Sequence, residues 1–236
     1  MSKAPVRKTT KTRRAPPGSS ATARNDLLDA ALKLFAQNGF DGASVQEIAT
    51  SASIGQPLVH YHFGSKDNLW RAAVEYALDD YKRFFGLLNK TIVDLRPIDA
   101  LRVFMRGFLE FSAERPEHVM IILNEMRTPG ERFDWLIETF VGPFHGQLDS
   151  LLSRAADDGW IVPVPVAHLT PMIMIALSHF YTFRPLIQGL YGIDPQDEDV
   201  ANAHADYMMK LLFNGLQIQR SAGRDDTDDE SQSMRR

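Results

Sequence analysis

The sequence predicts an all-α fold, a three-helix N-terminal head joined to a helical bundle, with about nine helices in all. Two observations predict it. Apolar residues recur at three- and four-residue spacing along nearly the whole chain, and the β-branched alternation of strands is absent. Proline and glycine then divide this pattern into pieces of helical length.

Residues 1–21 come before any helix. They hold Lys3, Arg7, Lys8, Lys11, Arg13 and Arg14, no acidic residue and almost nothing to bury, so a disordered basic tail is expected. Such a tail is either a solubilising spacer or an arm laid along phosphates. Helix one is expected from about Thr22 to Asn38, with Leu27, Leu28, Ala31, Leu34 and Phe35 on one face and Gly39 at its C′ position. Ser44-x-x-Glu47 is a capping box, and it opens helix two, which carries Val45, Ile48, Ala49 and Ala52. After a break at Ser53-Ile54-Gly55, helix three covers about Gln56 to His62, with Pro57 in a first turn that needs no N–H. Ser65 caps a long helix four, from Lys66 to about Ile92.

Pro97 opens helix five, with Leu101, Phe104, Phe108 and Phe111 in a stripe, and Pro116 opens helix six, which ends near Thr128-Pro129-Gly130. Helix seven is expected from about Arg132 to Asp157, kinked at Gly142-Pro143. A Pro-rich linker, Trp160 to Val166, leads to helix eight (about 167–190) and helix nine (about 198–219). Residues 221–236 form an acidic tail, densest from Asp225 to Glu230.

A net charge of −4 argues by itself against a polyanionic partner, but its distribution reverses the argument. From Met1 to Trp70 there are nine Lys/Arg against five Asp/Glu; from Arg71 onward there are 17 against 25. The basic front is the part suited to a polyanion. With no cysteine there is neither a disulfide framework nor thiolate chemistry. No apolar run approaches the roughly 20 residues of a membrane span, and no secretory signal opens the chain, so a cytoplasmic protein is expected.

Two short helices joined by a tight turn make a helix-turn-helix, and that geometry constrains the sequence. Ala49 is small enough to let helix three approach helix two. Ile48, Ile54 and Val59 have the spacing to lock the pair, which leaves Gln56, His60 and Tyr61 for base edges in a major groove. A zinc site at His60 and His62 fails, because residues two apart diverge on a helix and no cysteine or nearby carboxylate completes the set.

The stretch Ala30-Ala31-Leu32-Lys33-Leu34-Phe35-Ala36-Gln37-Asn38-Gly39-Phe40 resembles helix one of the TetR family of bacterial regulators. Ser44-Val45-Gln46-Glu47-Ile48-Ala49 follows at the expected distance. Val59-His60-Tyr61-His62-Phe63-Gly64-Ser65-Lys66-Asp67-Asn68-Leu69 is similar to that family's recognition helix and the start of its helix four. The resemblance covers roughly residues 22–76. It implies a DNA-binding domain over 22–66 and a ligand-sensing, dimerising domain over 67–220. By position it implies that Ser44 reaches a phosphate, that Gln56, Pro57, Leu58 and His60 face the bases, and that Tyr61 and Lys66 hold the DNA backbone. Val59 and Phe63 are core, and His62 either packs on helix one or bonds a phosphate. The sequence departs from the family pattern at Ser53, where glycine is customary, at Gly55, which weakens the helix-three cap, and at Pro57-Leu58. Leu58 is suited to a thymine methyl.

The resemblance further implies a homodimer through helices of about 167–190 and 198–219, whose apolar residues exceed what one monomer face needs, and hence a palindromic operator. An effector pocket is expected among helices five to eight. Its apolar candidates are Phe104, Phe108, Met120, Leu123, Phe140 and Phe144, with Asn124, His145 and His179 as polar anchors. The expected function is a repressor released by a small, largely apolar effector that shifts helix four, with no cofactor, no metal and no enzymatic role. The alternative is an activator or architectural DNA-binding protein without an effector.

Overall fold

The computed structural model describes residues 20–216, and the elements among them are all helical. The first four are α1 (Ser20–Gly42), α2 (Val45–Ser51), α3 (Gln56–Phe63) and α4 (Lys66–Ile92). Then come α5 (Pro97–Glu114), α6 (Glu117–Met126), α7 (Glu131–Leu136), a π turn (Ile137–Val141), α8 (Gly142–Asp157), α9 (Val166–Thr182), α10 (Arg184–Tyr191) and α11 (Glu198–Leu216). The expected N-terminal tail up to residue 19, the expected acidic tail and the last three residues of the expected final helix lie outside the described residues, while Ser20 and Ala21 fall in the first turn of α1.

The head forms for local reasons. Gly39 takes a φ of +71°, which a side chain resists, and breaks the regular part of α1 where the sequence places its C′ residue. In the capping box, Ser44 Oγ accepts from Glu47 N at 3.1 Å while the Glu47 carboxylate accepts from Ser44 N at 3.2 Å. Ser65 Oγ accepts from Asn68 N at 3.1 Å and starts α4. α1 packs on α2, α4 and α6, and α3 packs on α2 and α4.

In the body, α5 is the central post and packs on α4, α8, α9 and α11. Head and body share one continuous core that runs from Leu27 on α1 to Phe213 on α11. Its densest part is aromatic: Phe85, Phe104 and Phe144 stand 5.2–5.4 Å apart between ring centroids.

Two expected helices are each divided. The helix expected over 132–157 is α7 and α8 joined by the π turn. The Gly142 N–H bonds the Ile137 carbonyl five residues back, and Pro143 has no N–H to offer. A Cβ on Gly142 would lie 2.8 Å from that carbonyl oxygen, so the turn requires glycine. The helix expected over 167–190 bends by 64° between α9 and α10. Pro185 lacks the N–H that would continue the ladder and instead sits in the first turn of α10. No single described helix is long and apolar enough to cross a bilayer.

Candidate nucleic-acid interface and effector cavity

The turn between α2 and α3 holds the head together. Ile48, Ala49 and Val59 are buried, and Ile54 packs against them. Ser53, where glycine is the family's custom, takes a φ of +57°, the left-handed region that a side chain resists. Its N–H bonds Thr50 O at 3.0 Å and the next N–H bonds Ala49 O at 2.9 Å, which holds the turn closed. Gly55 caps α3 without a side-chain bond, as expected.

With Val59 and Phe63 buried, Gln56, Pro57, Leu58, His60, Tyr61 and His62 are all exposed. Tyr61 stands 83% exposed, a large cost for an aromatic ring. His62 is exposed and lies edge-on to the Tyr61 ring at 5.2 Å. His60 Nδ1 is 3.4 Å from Gly64 O, and Gly64 ends α3 with a φ of +71°. Asn68, a residue that sequence reasoning left unassigned, donates to Phe63 O at 3.0 Å and fixes the corner between α3 and α4. The Lys66 ammonium sits over the Phe40 ring at 4.7 Å and donates to Asp41 O at 3.3 Å, at the N-terminus of α4. Tyr61 on α3, Ser44 at the start of α2 and Lys66 at the start of α4 thus carry a phenol, a hydroxyl and an ammonium, the donors that phosphate oxygens accept from.

The body holds a cavity of about 40 Å³ walled by residues of α4, α5, α6, the π turn, α8 and α9. Tyr81, Phe108, Phe111, Phe140 and Phe144 contribute five phenyl or phenol rings to the wall. Ser112, Arg115, His118 and His145, with the hydroxyl-bearing Tyr81, are its polar residues. A smaller cavity shares His118, Ile122 and Phe140 with it and reaches Leu32 on α1. On the other side of Tyr81, Phe140 and Phe144 an open cleft of about 190 Å³ runs to Gly86 and Pro143.

His118 is almost wholly buried between the two cavities, with Nδ1 3.1 Å from Arg115 O and Nε2 3.0 Å from Ala77 O. Both neighbours are carbonyls, which would favour the imidazolium, yet burial outweighs them and holds its pKa below the ordinary histidine value. Burial also lowers the pKa of His145, against the pull of Asp149. Burial pushes the Tyr81 phenol far above its usual range, so it remains a neutral hydroxyl.

Two family models match the chain. The N-terminal model of bacterial regulatory proteins, tetR family, matches residues 27–73, and the C-terminal domain model of the HTH-type transcriptional dual regulator CecR matches residues 97–216, half of the chain. The chain belongs to the TetR family. It is a DNA-binding transcription regulator of the helix-turn-helix type. Among curated relatives, the HTH-type transcriptional regulator RutR of Escherichia coli K12 is 25% identical over 193 residues, which cover 80% of this chain and 88% of RutR. The HTH-type transcriptional repressor NicS of Pseudomonas putida is 24% identical over 197 residues, covering 82% of this chain and 92% of NicS. Among solved structures, AibR in complex with isovaleryl coenzyme A and operator DNA superposes with a TM-score of 0.66 at 22% identity, covering 82% of this chain and 99% of AibR. A putative fatty acid metabolism regulator of Clostridium perfringens superposes with a TM-score of 0.65 at 19% identity, over 82% of this chain and all of that one. These structural likenesses concern the fold.

In this TetR-family chain the head residues singled out from sequence stand together on and beside α3, whereas those proposed for the body do not all meet. Phe108, Phe140, Phe144 and His145 wall the cavity. Phe104 stands behind it, stacked on Phe144 at 5.3 Å. Met120 and Leu123 are not in the wall, because α6 turns Val119 and Ile122 toward it and the next residue on each side is rotated about 100° away. Asn124 is turned toward α1, where it donates to Phe35 O and Ala36 O. His179 is exposed on α9 against the edge of Phe183 at 4.5 Å, remote from the cavity wall. Tyr81, Ser112, Arg115, His118 and Met174 line the cavity without having been singled out. Tyr81 was within reach, since it continues the buried stripe Val74, Ala77, Leu78 of α4 and is the polar member of it.

Proposed function

We propose that this chain is a repressor that binds a palindromic operator as a two-fold dimer and is released by a small, largely apolar effector in the body. The observation that carries the proposal is the uncovered outer face of α3. Gln56, Leu58, His60 and Tyr61 are exposed there, while Ser44 and Lys66 stand at the flanks for the backbone. Sequence preference is assigned to Gln56, Pro57, Leu58 and His60, and affinity to Ser44, Tyr61 and Lys66.

The dimer is supported by α9, α10 and α11, which expose Ile175, Leu186, Leu190, Tyr207 and Leu211. A two-fold axis would bury each of these residues against the same surface of a second copy. An effector role for the aromatic cavity is supported by its position: its wall includes α4, which leads out of the head, and α6, which packs on α1. Release then follows when the effector favours a body conformation that spaces the two heads wrongly for the operator. AibR, of similar fold, is known with both a coenzyme A ester and operator DNA.

Selection from a random duplex library tests the reading. Enrichment of a palindrome with two equivalent half-sites is expected. Failure to enrich any sequence from folded protein would contradict it.

A further inference from the structure

Tyr81 and Ser112 both line one cavity, and among the described residues neither Tyr81 Oη nor Ser112 Oγ has a hydrogen-bond partner. Both side chains are more than nine-tenths buried. An unmet hydroxyl in an apolar surround costs on the order of 1–3 kcal/mol, so phenylalanine and alanine would be the more stable residues here. Two such atoms on one wall indicate a hydrogen-bonding group that enters the cavity.

The remainder of the wall defines what else that molecule carries. Its surface is aromatic, with Tyr81 meeting Phe140 and Phe144 edge-on at 4.6 and 5.1 Å, a geometry that a further flat ring extends. The wall's one fixed charge, Arg115, already faces Asp80 at 3.5 Å. Both histidines of the wall are held toward their neutral forms by burial. A charged ligand would therefore be desolvated without a counter-ion. The cavity is tight for an organic molecule, but the rings of Tyr81, Phe140 and Phe144 are the partition between it and the cleft of about 190 Å³ beyond. Rotation of those rings would join the two spaces. Met174, flexible and polarisable, lines the cavity and adapts to the change.

We propose that this cavity binds a compact, uncharged, single-ring aromatic molecule bearing one hydroxyl or carbonyl, which hydrogen-bonds Tyr81 Oη and Ser112 Oγ. The proposal rests on the effector reading of the cavity and adds the ligand's chemical class.

Calorimetric titration of the full-length protein, without DNA, tests it with three probes: 4-methylphenol, toluene and 4-methylbenzoate. Saturable binding of 4-methylphenol is expected, with toluene about tenfold weaker, the loss of roughly one well-made hydrogen bond, and the carboxylate weaker again. Tyr81→Phe and Ser112→Ala should each weaken 4-methylphenol about tenfold, leave toluene unchanged, and leave the melting temperature equal or higher. No saturable binding of 4-methylphenol to protein that still selects an operator would overturn the ligand class while the regulator reading stands. Binding that neither variant alters, or tighter binding of the carboxylate, would overturn it as well. If 4-methylphenol binds as described to protein that selects no operator, the ligand site stands and the repressor reading falls.

Discussion

The side-chain amide of Asn124 donates to Ala36 O at 2.8 Å, and to Phe35 O at 3.3 Å, and so ties α6 of the body to the last regular turn of α1 in the head. Those carbonyls lie just before Gly39, where the helical ladder of α1 breaks and backbone acceptors lose their usual partners. Asn124 is therefore a C-terminal clasp on the head. Asn124→Ala removes the donor from both acceptors and should cost about 1–3 kcal/mol in urea unfolding. It should also reduce the ability of any effector to alter operator affinity, as read by fluorescence anisotropy.

A second clasp lies beside it. The Arg132 guanidinium stands 3.6 Å from the centre of the Phe40 ring, bonds the buried Glu125 carboxylate at 3.0 Å, and faces Asp67 at 3.6 Å. Arg132→Leu should destabilise the fold by about 2–3 kcal/mol, reduced from the fully buried case because the guanidinium is partly exposed. Burial raises the Glu125 pKa, and Arg132 opposes that rise. A raised carboxyl pKa favours the fold while the group is protonated, and that gain is lost as pH climbs through the folded value. Without Arg132 the folded value rises further, so the variant's deficit should shrink as pH falls from about 8 to about 5. Melting curves of both proteins across that range check the sign; a deficit that grows on acidification would contradict it.

The π turn makes a separate prediction. Gly142→Ala forces a methyl group against Ile137 O, a backbone atom that has no rotamer to yield. The substitution should lower stability by about 1–3 kcal/mol, and near-ultraviolet circular dichroism should report disturbed rings, because Phe140 and Phe144 flank this residue. An unchanged melting temperature would mean that the turn relaxes to an ordinary helix at no cost.

On the head, Lys66→Ala and Gln56→Ala should separate affinity from specificity. Removing the ammonium should weaken binding to all duplexes and reduce the salt slope by about 1, whereas removing Gln56 should relax preference at one position by about 1–3 kcal/mol. A change in preferred sequence on Lys66→Ala would contradict this division of roles.

These predictions differ in how far the sequence alone supports them, and the difference is physical. The Ser44–Glu47 box, the Ser65 cap, the Gly39 stop and the burial of Val59 and Phe63 depend on residues within one or two turns of one another, so local pattern is enough. The cavity depends on how six segments rotate against each other. Helical phase placed Phe140 and Phe144 there, but it also offered Met120, Leu123 and His179, which a tertiary rotation sends elsewhere. Asn124 read as a pocket anchor because it is a lone polar residue among apolar ones; its true partners, the Phe35 and Ala36 carbonyls, lie 89 and 88 residues away. Gly142-Pro143 marked a defect in the helix, but the five-residue hydrogen bond preceding it has no sequence signature.

The most direct test of the central claim, that two copies of α3 read two halves of one operator, is a binding titration on the selected duplex and on the same duplex with one half-site scrambled. The account predicts two protomers per intact duplex and a loss of affinity of about a hundredfold or more on scrambling. Equal affinity for both duplexes, with one protomer bound to each, would contradict it.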